Sequence, residues 1–118
     1  MCIRDRFCLN IAFNYGGRDE LLRAAAKASK AGIDVDNMTE SDFGQFLDTA
    51  GLPDVDLVVR TSGEKRISNF LLWQSAYAEF VFTDVLWPDF TVNDLQAAIS
   101  EFKLRTRRFG NLDASEVA

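Results

Sequence analysis

Arg60, Glu64, Arg66 and Ser68 fall within nine residues of one another. Arg60 closes an apolar run, Val55 to Arg60 (VDLVVR), where a charge is costly unless it finds a partner. Two guanidinium groups and a hydroxyl near a helix N-terminus could hold a diphosphate. Arginine offers a bidentate fork to phosphate oxygens, and the first N–H groups of a helix add donors. The same spacing suits a structural ion pair, Arg60 or Arg66 with Glu64, and both readings stand. Glu79 lies between Ala78 and the apolar FVF. A carboxylate there could ligate Mg2+, which takes oxygen ligands and bridges to substrate phosphates. One carboxylate does not build such a site, and the plainer reading is a solvated residue at a helix–strand junction. Asn14 to Arg18 reads equally as a tight strand–helix turn without chemistry. Trp73, Trp87, Phe70 and Phe90 read as core, and Arg105, Arg107 and Arg108 as a solvated helix end.

Composition narrows the classes. The 118 residues suit one domain or part of one, and a hydrophobic content of 47% allows a core. A net charge of −5 argues against a nucleic-acid partner, whose phosphates need a basic face. Histidine is absent, so no Ser-His or Cys-His pair exists. Cys2 and Cys8 lack metal-ligand spacing and read as two reduced thiols. No apolar run approaches the roughly 18 residues of a membrane span, and MCIRDRF is too charged and short for a signal peptide. The expectation is a soluble, cytoplasmic protein.

The elements that must position these residues follow from pattern. Phe7 to Phe13 (FCLNIAF) predicts a buried strand, turned at its end by Gly16 and Gly17. Arg18 to Ala31 predicts a helix stopped by Gly32. Thr39 with Asp42 predicts the cap of a short helix. Val55 to Arg60 predicts a second strand, with Thr61 to Glu64 a loop at its C-terminal end. Ser68 or Asn69 could cap a helix carrying Phe70 to Ala76, and Glu79 to Val85 predicts a third strand. Thr91 with Asp94 opens a C-terminal helix with Leu95, Ala98, Ile99 and Phe102 at helical spacing. Strands alternating with helices imply an α/β fold with a parallel sheet, whose ligands sit beyond the C-terminal strand ends.

Three strings carry a family resemblance: NYGGRDE (Asn14 to Glu20), DLVVRTSGEKRISNFLLWQSAYAE (Asp56 to Glu79) and FTDVLWPDF (Phe82 to Phe90). In order and spacing they resemble three signature blocks of the cis-prenyltransferases, closest to the undecaprenyl diphosphate synthase type. The resemblance implies a partial parallel-sheet sandwich with flanking helices, the C-terminal half of the cis-prenyltransferase fold. It implies condensation of isopentenyl diphosphate with an allylic prenyl diphosphate to a Z-polyprenyl diphosphate, undecaprenyl diphosphate, a membrane-bound peptidoglycan precursor. On the matching positions Arg60, Arg66, Ile67 and Ser68 would bind the isopentenyl diphosphate. Glu79 would help hold Mg2+, and Arg108 and Gly110 of RFG would reach substrate in a homodimer.

The resemblance also sets expectations about what the chain lacks. MCIRDR, residues 1–6, matches nothing in the family. Residues 7–110 would be the C-terminal part of a single domain, and 111–118 a tail. The family's catalytic Asp, its allylic diphosphate loop and most of its hydrophobic tunnel belong to an N-terminal half absent here, so the chain alone is expected to have little or no activity. Two other classes compete: a non-catalytic partner subunit, which Arg60, Arg66, Ser68 and Glu79 argue against, and a generic phosphate-binding module.

Overall fold

A two-residue antiparallel pair opens the chain, β1 (Cys2–Ile3) against β2 (Phe7–Cys8), with Cys2 opposite Cys8 and Ile3 opposite Phe7. The computed structural model describes residues 2–3 and 7–105, which divide between Gly51 and Leu52 into two units. The predicted buried strand over Phe7 to Phe13 is corrected here. Only Phe7–Cys8 is strand, and Ile11 and Phe13 are 83% and 93% exposed. A continuously apolar strand is buried only when neighbours cover it. Among the described residues, no strand pairs with Leu9 to Phe13.

Helix α1 (Gly17–Lys30) carries Asp19 and Glu20 in its first turn and Lys27 and Lys30 in its last, both matched to the helix dipole. Gly17, Glu20, Ala24 and Ala28 form its buried stripe. Gly32 ends it with φ +73°, the Ile33 N–H reaching the Ala28 carbonyl and the Gly32 N–H that of Ser29. That left-handed residue is one glycine adopts without a Cβ penalty. Helix α2 (Glu40–Gly44) starts at the expected capping box, in which Thr39 accepts from the Asp42 N–H and Asp42 from the Thr39 N–H. The core of this unit is small: Ala24, Ala28 and Leu47, with the carboxylate of Glu20, which is 1% exposed. Tyr15 Oη donates to one oxygen of Glu20, and the Asp48 N–H donates to the other at 2.8 Å. Arg23 forks onto Asp48 with two 2.8 Å bonds.

In the second unit, β3 (Leu57–Arg60) and β4 (Glu79–Phe82) pair in parallel, from Leu57 opposite Glu79 to Arg60 opposite Phe82. Helix α3 (Val92–Lys103) packs against β4 and begins at the second expected capping box, Thr91 with Asp94. Val81 and Ala98 are buried. Trp87 is a correction: it stands 70% exposed in a 3-10 turn, stacked on Phe90 with ring centroids 5.9 Å apart.

Three carboxyls lie below their ordinary value: Asp42 through the Thr39 hydroxyl, Asp94 through that of Thr91, and Asp48 through the Arg23 fork. A depressed folded pKa contributes stability above the unfolded value and loses it as pH falls through the folded one. Thermal melts should therefore hold steady down to about pH 4 and drop on further acidification, below the unfolded carboxylate range. A melting temperature that climbs on acidification below that range would overturn this.

Candidate functional site

Parallel pairing sets the C-terminal ends of β3 and β4 side by side, the place where sheets of this class hold ligands. The strand ends are tied beyond the ladder. The Thr83 N–H donates to the Arg60 carbonyl at 2.9 Å, Ser62 N–H to Val85 at 2.8 Å and Gly63 N–H to Thr83 at 3.0 Å. Ser62 and Gly63 are both left-handed, with φ +66° and +68°. A Cβ on Gly63 would lie 3.1 Å from Asp84 Oδ1. Gly63→Ala should thus cost about 1 kcal/mol, from the left-handed strain that glycine escapes and alanine does not. Denaturant unfolding checks this, and an unchanged midpoint would refute it.

Arg60 sits half-buried at the end of β3. Its Nε is buried and, among the described residues, has no hydrogen-bond partner. Arg66 is exposed and pairs with Glu64, Nε to Oε2 at 3.1 Å. The ion-pair alternative left open by spacing is thus present for Arg66 and does not account for Arg60 Nε. Ile67 is half-buried and Ser68 exposed. The predicted helix over Phe70 to Ala76 is corrected: the segment is a chain of turns. Ser68, Asn69 and Leu71 have φ of +52°, +64° and +46°. Left-handed residues cannot propagate a right-handed helix, and short polar side chains such as Ser and Asn tolerate that region. Among the described residues, the segment after this loop therefore offers it no helix N-terminus, and the donors it does offer are side chains and single loop N–H groups.

Glu79 lies at the other end of the sheet. It starts β4 opposite Leu57, three residues before Arg60, a separation of roughly 10 Å along the strands. It is not solvated, as the plainer reading had it. Arg105 Nη1 reaches Glu79 Oε2 at 3.2 Å and the Phe80 carbonyl at 2.5 Å, while Nη2 binds Glu101. The Glu79 bond, then the Glu101 bond, raise the Arg105 pKa. The described residues do not by themselves fit a Mg2+ site. No three acidic, histidine or cysteine groups converge among them, and Glu79 already faces a cation. Arg108 and Gly110 lie outside the described residues.

A cavity of about 180 Å³ lies between the sheet and α3, lined by Val59, Val81, Phe90 and Ala98 with Asp94 and Glu101. Apolar walls and two carboxylates suit no diphosphate. Arg105 is the site residue that spacing missed. It stands 26 positions from Glu79, and its place in a basic helix end gave no sign of the partner. Asp84, beside Gly63, had no signal at all. Among the described residues, no helix is long and apolar enough to cross a membrane.

Comparison with known proteins bears on this arrangement. The sequence profile of the family described as "Putative undecaprenyl diphosphate synthase" matches residues 3–110. An isoprenyl transferase of Treponema pallidum is 56% identical over 105 residues, 87% of this chain and 46% of the relative. A ditrans,polycis-undecaprenyl-diphosphate synthase of Buchnera aphidicola, (2E,6E)-farnesyl-diphosphate specific, is 53% identical over 91% of this chain and 45% of its own length. The crystal structure of a probable undecaprenyl diphosphate synthase from Campylobacter jejuni superposes with a TM-score of 0.71 at 42% identity, over 82% of this chain and 44% of that one. The chain spans about half the length of the curated relatives it matches.

Proposed function

We propose, for a chain that belongs to the undecaprenyl diphosphate synthase family, that it forms the isopentenyl-diphosphate-binding part of a cis-prenyltransferase. The α/β fold with its small parallel sheet and flanking helices is that of the family's solved structures. The reaction joins isopentenyl diphosphate to an allylic prenyl diphosphate. The allylic C–O bond breaks with loss of diphosphate, a C–C bond forms to the isopentenyl double bond and a proton leaves, lengthening a Z-polyprenyl diphosphate.

One observation carries the binding role: the buried Arg60 Nε at the C-terminal end of a parallel strand has no hydrogen-bond partner among the described residues. A buried donor left unmade costs about 1–3 kcal/mol. A phosphate oxygen would satisfy it and gain a charge-assisted bond. Arg66 supplies a second fork by exchanging Glu64 for phosphate. Arg66 is largely exposed and Glu64 partly so, and such a surface pair is worth no more than about 1 kcal/mol. The Ser68 hydroxyl adds a neutral donor, and Ile67, half-buried beside it, anchors the loop.

The remaining roles concern the longer family domain. Arg108 and Gly110 complete the substrate grip in a cytoplasmic homodimer that makes a peptidoglycan precursor. Mg2+ is held with the help of Glu79 once its other ligands are supplied. The chain alone incorporates little or no isopentenyl unit, and near-normal turnover in an incorporation assay would show the catalytic apparatus misplaced. Calorimetric titration with isopentenyl diphosphate tests the pocket. Arg66→Ala should weaken binding about tenfold, the loss of one exposed charge-assisted contact. Binding untouched by this change would remove Arg66 from the site.

A further inference from the structure

The two faces of the β3–β4 ladder carry different chemistry. Side chains alternate along a strand, and partners in register share a face. Val59 and Val81 are one such pair; both line the cavity under α3, and Val81 is buried there. Val58 with Phe80, and Arg60 with Phe82, therefore point to the opposite face. On that face Phe80 and Phe82 stack, with ring centroids 5.9 Å apart and ring planes 16° from parallel. Phe82 is 43% exposed. It stands at the strand end where Arg60 brings a buried Nε that has no hydrogen-bond partner among the described residues. Exposed aromatic surface gains from apolar cover in proportion to the area removed from water.

We propose that Phe82 is a specificity-determining residue, whose ring receives the five-carbon group of isopentenyl diphosphate while the diphosphate meets Arg60. The inference deepens the reading of Arg60 as a diphosphate ligand and rests on it. A ligand with an anionic head and a short branched alkene needs a cation and an apolar surface side by side. The register supplies both, because Arg60 and Phe82 are partners on one face. Neighbouring strands lie about 5 Å apart. A head and a hydrocarbon joined by one C–O–P link therefore touch both side chains at once. Inorganic pyrophosphate offers the same phosphate oxygens and no hydrocarbon, so arginines alone do not tell the two ligands apart. Phe82 does, and Phe80, stacked against it, holds the ring in place.

The test is titration calorimetry on the 118-residue chain with isopentenyl diphosphate and, separately, inorganic pyrophosphate, and a thermal melt of each variant. Phe82→Ala should weaken isopentenyl diphosphate about tenfold, the worth of about two CH2 groups of lost burial, and leave pyrophosphate unchanged. Phe82→Leu keeps apolar cover and should recover most of that loss. Phe82→Gln fills the position with a polar group and should not. These two variants carry the comparison if the alanine variant does not melt cooperatively. Arg60→Leu should weaken both ligands. If Arg60→Leu does so while the Phe82 variants change both ligands equally, or neither, the role of Phe82 is overturned and the diphosphate grip stands. If neither ligand responds to Arg60→Leu, the diphosphate reading falls and this inference with it.

Discussion

Glu20→Ala is expected to destabilise the chain by about 3 kcal/mol or more, with urea unfolding as the measurement. The side chain is 1% exposed and is the largest fully buried one among the described residues. It accepts from Tyr15 Oη and from the Asp48 N–H. Alanine removes both acceptors from two part-buried hydrogen bonds, and each orphaned donor costs up to about 1–3 kcal/mol. It also opens a void beside Ala24 and Ala28, which a small core closes only in part. Glu20→Gln keeps the side-chain volume and one acceptor oxygen, so its cost should fall between alanine and wild type. Tyr15→Phe deletes one donor together with its need for an acceptor and should cost about 1 kcal/mol. An alanine variant within 0.5 kcal/mol of wild type, the range of ordinary surface changes, would show that the buried carboxylate contributes little net stability.

Arg60→Leu should act with opposite signs on binding and on stability. Affinity for isopentenyl diphosphate should fall about 100-fold, the value of two charge-assisted bonds partly offset by water. Stability should hold or rise. The buried Nε lacks a hydrogen-bond partner among the described residues, and an apolar side chain brings no unsatisfied donor. An ordinary structural arginine would show the reverse, a loss of stability with binding unaffected. Titration calorimetry and thermal melting on the same samples separate the two. Arg66→Ala should show only its smaller, about tenfold binding loss and no stability effect, since Arg66 is exposed.

Legibility from sequence followed the range of the interaction. Thr39 and Thr91 were each paired with an aspartate three positions on, and both capping boxes formed. Gly32 stopped α1 where the alanine run ended. Leu57–Arg60 was strand and Glu79–Phe82 its parallel neighbour. The failures came where a local pattern met an absent or unexpected neighbour. FCLNIAF has the composition of a buried strand, yet burial depends on what lies beside it. LLWQSAYA has helix-forming composition, but left-handed residues at Ser68, Asn69 and Leu71 break it into turns. Arg105 looked like a solvated helix end because its partners lie on β4, far away in sequence.

The residues alone determined the terms that act within one turn: caps, the glycine stop, β-branched strand runs and the presence of two arginines with a serine after a strand. The quoted strings also determined the family, because long blocks in fixed order are specific where single pairs are not. Only the tertiary structure decided which charges meet. It gave Glu64 to Arg66 and Glu79 to Arg105, left Arg60 Nε without a partner among the described residues, and set Glu79 at the opposite end of the sheet from Arg60. Spacing bounds where a side chain can reach along its own element. Pairing register and helix packing, which sum many weak contacts between distant residues, choose the partner.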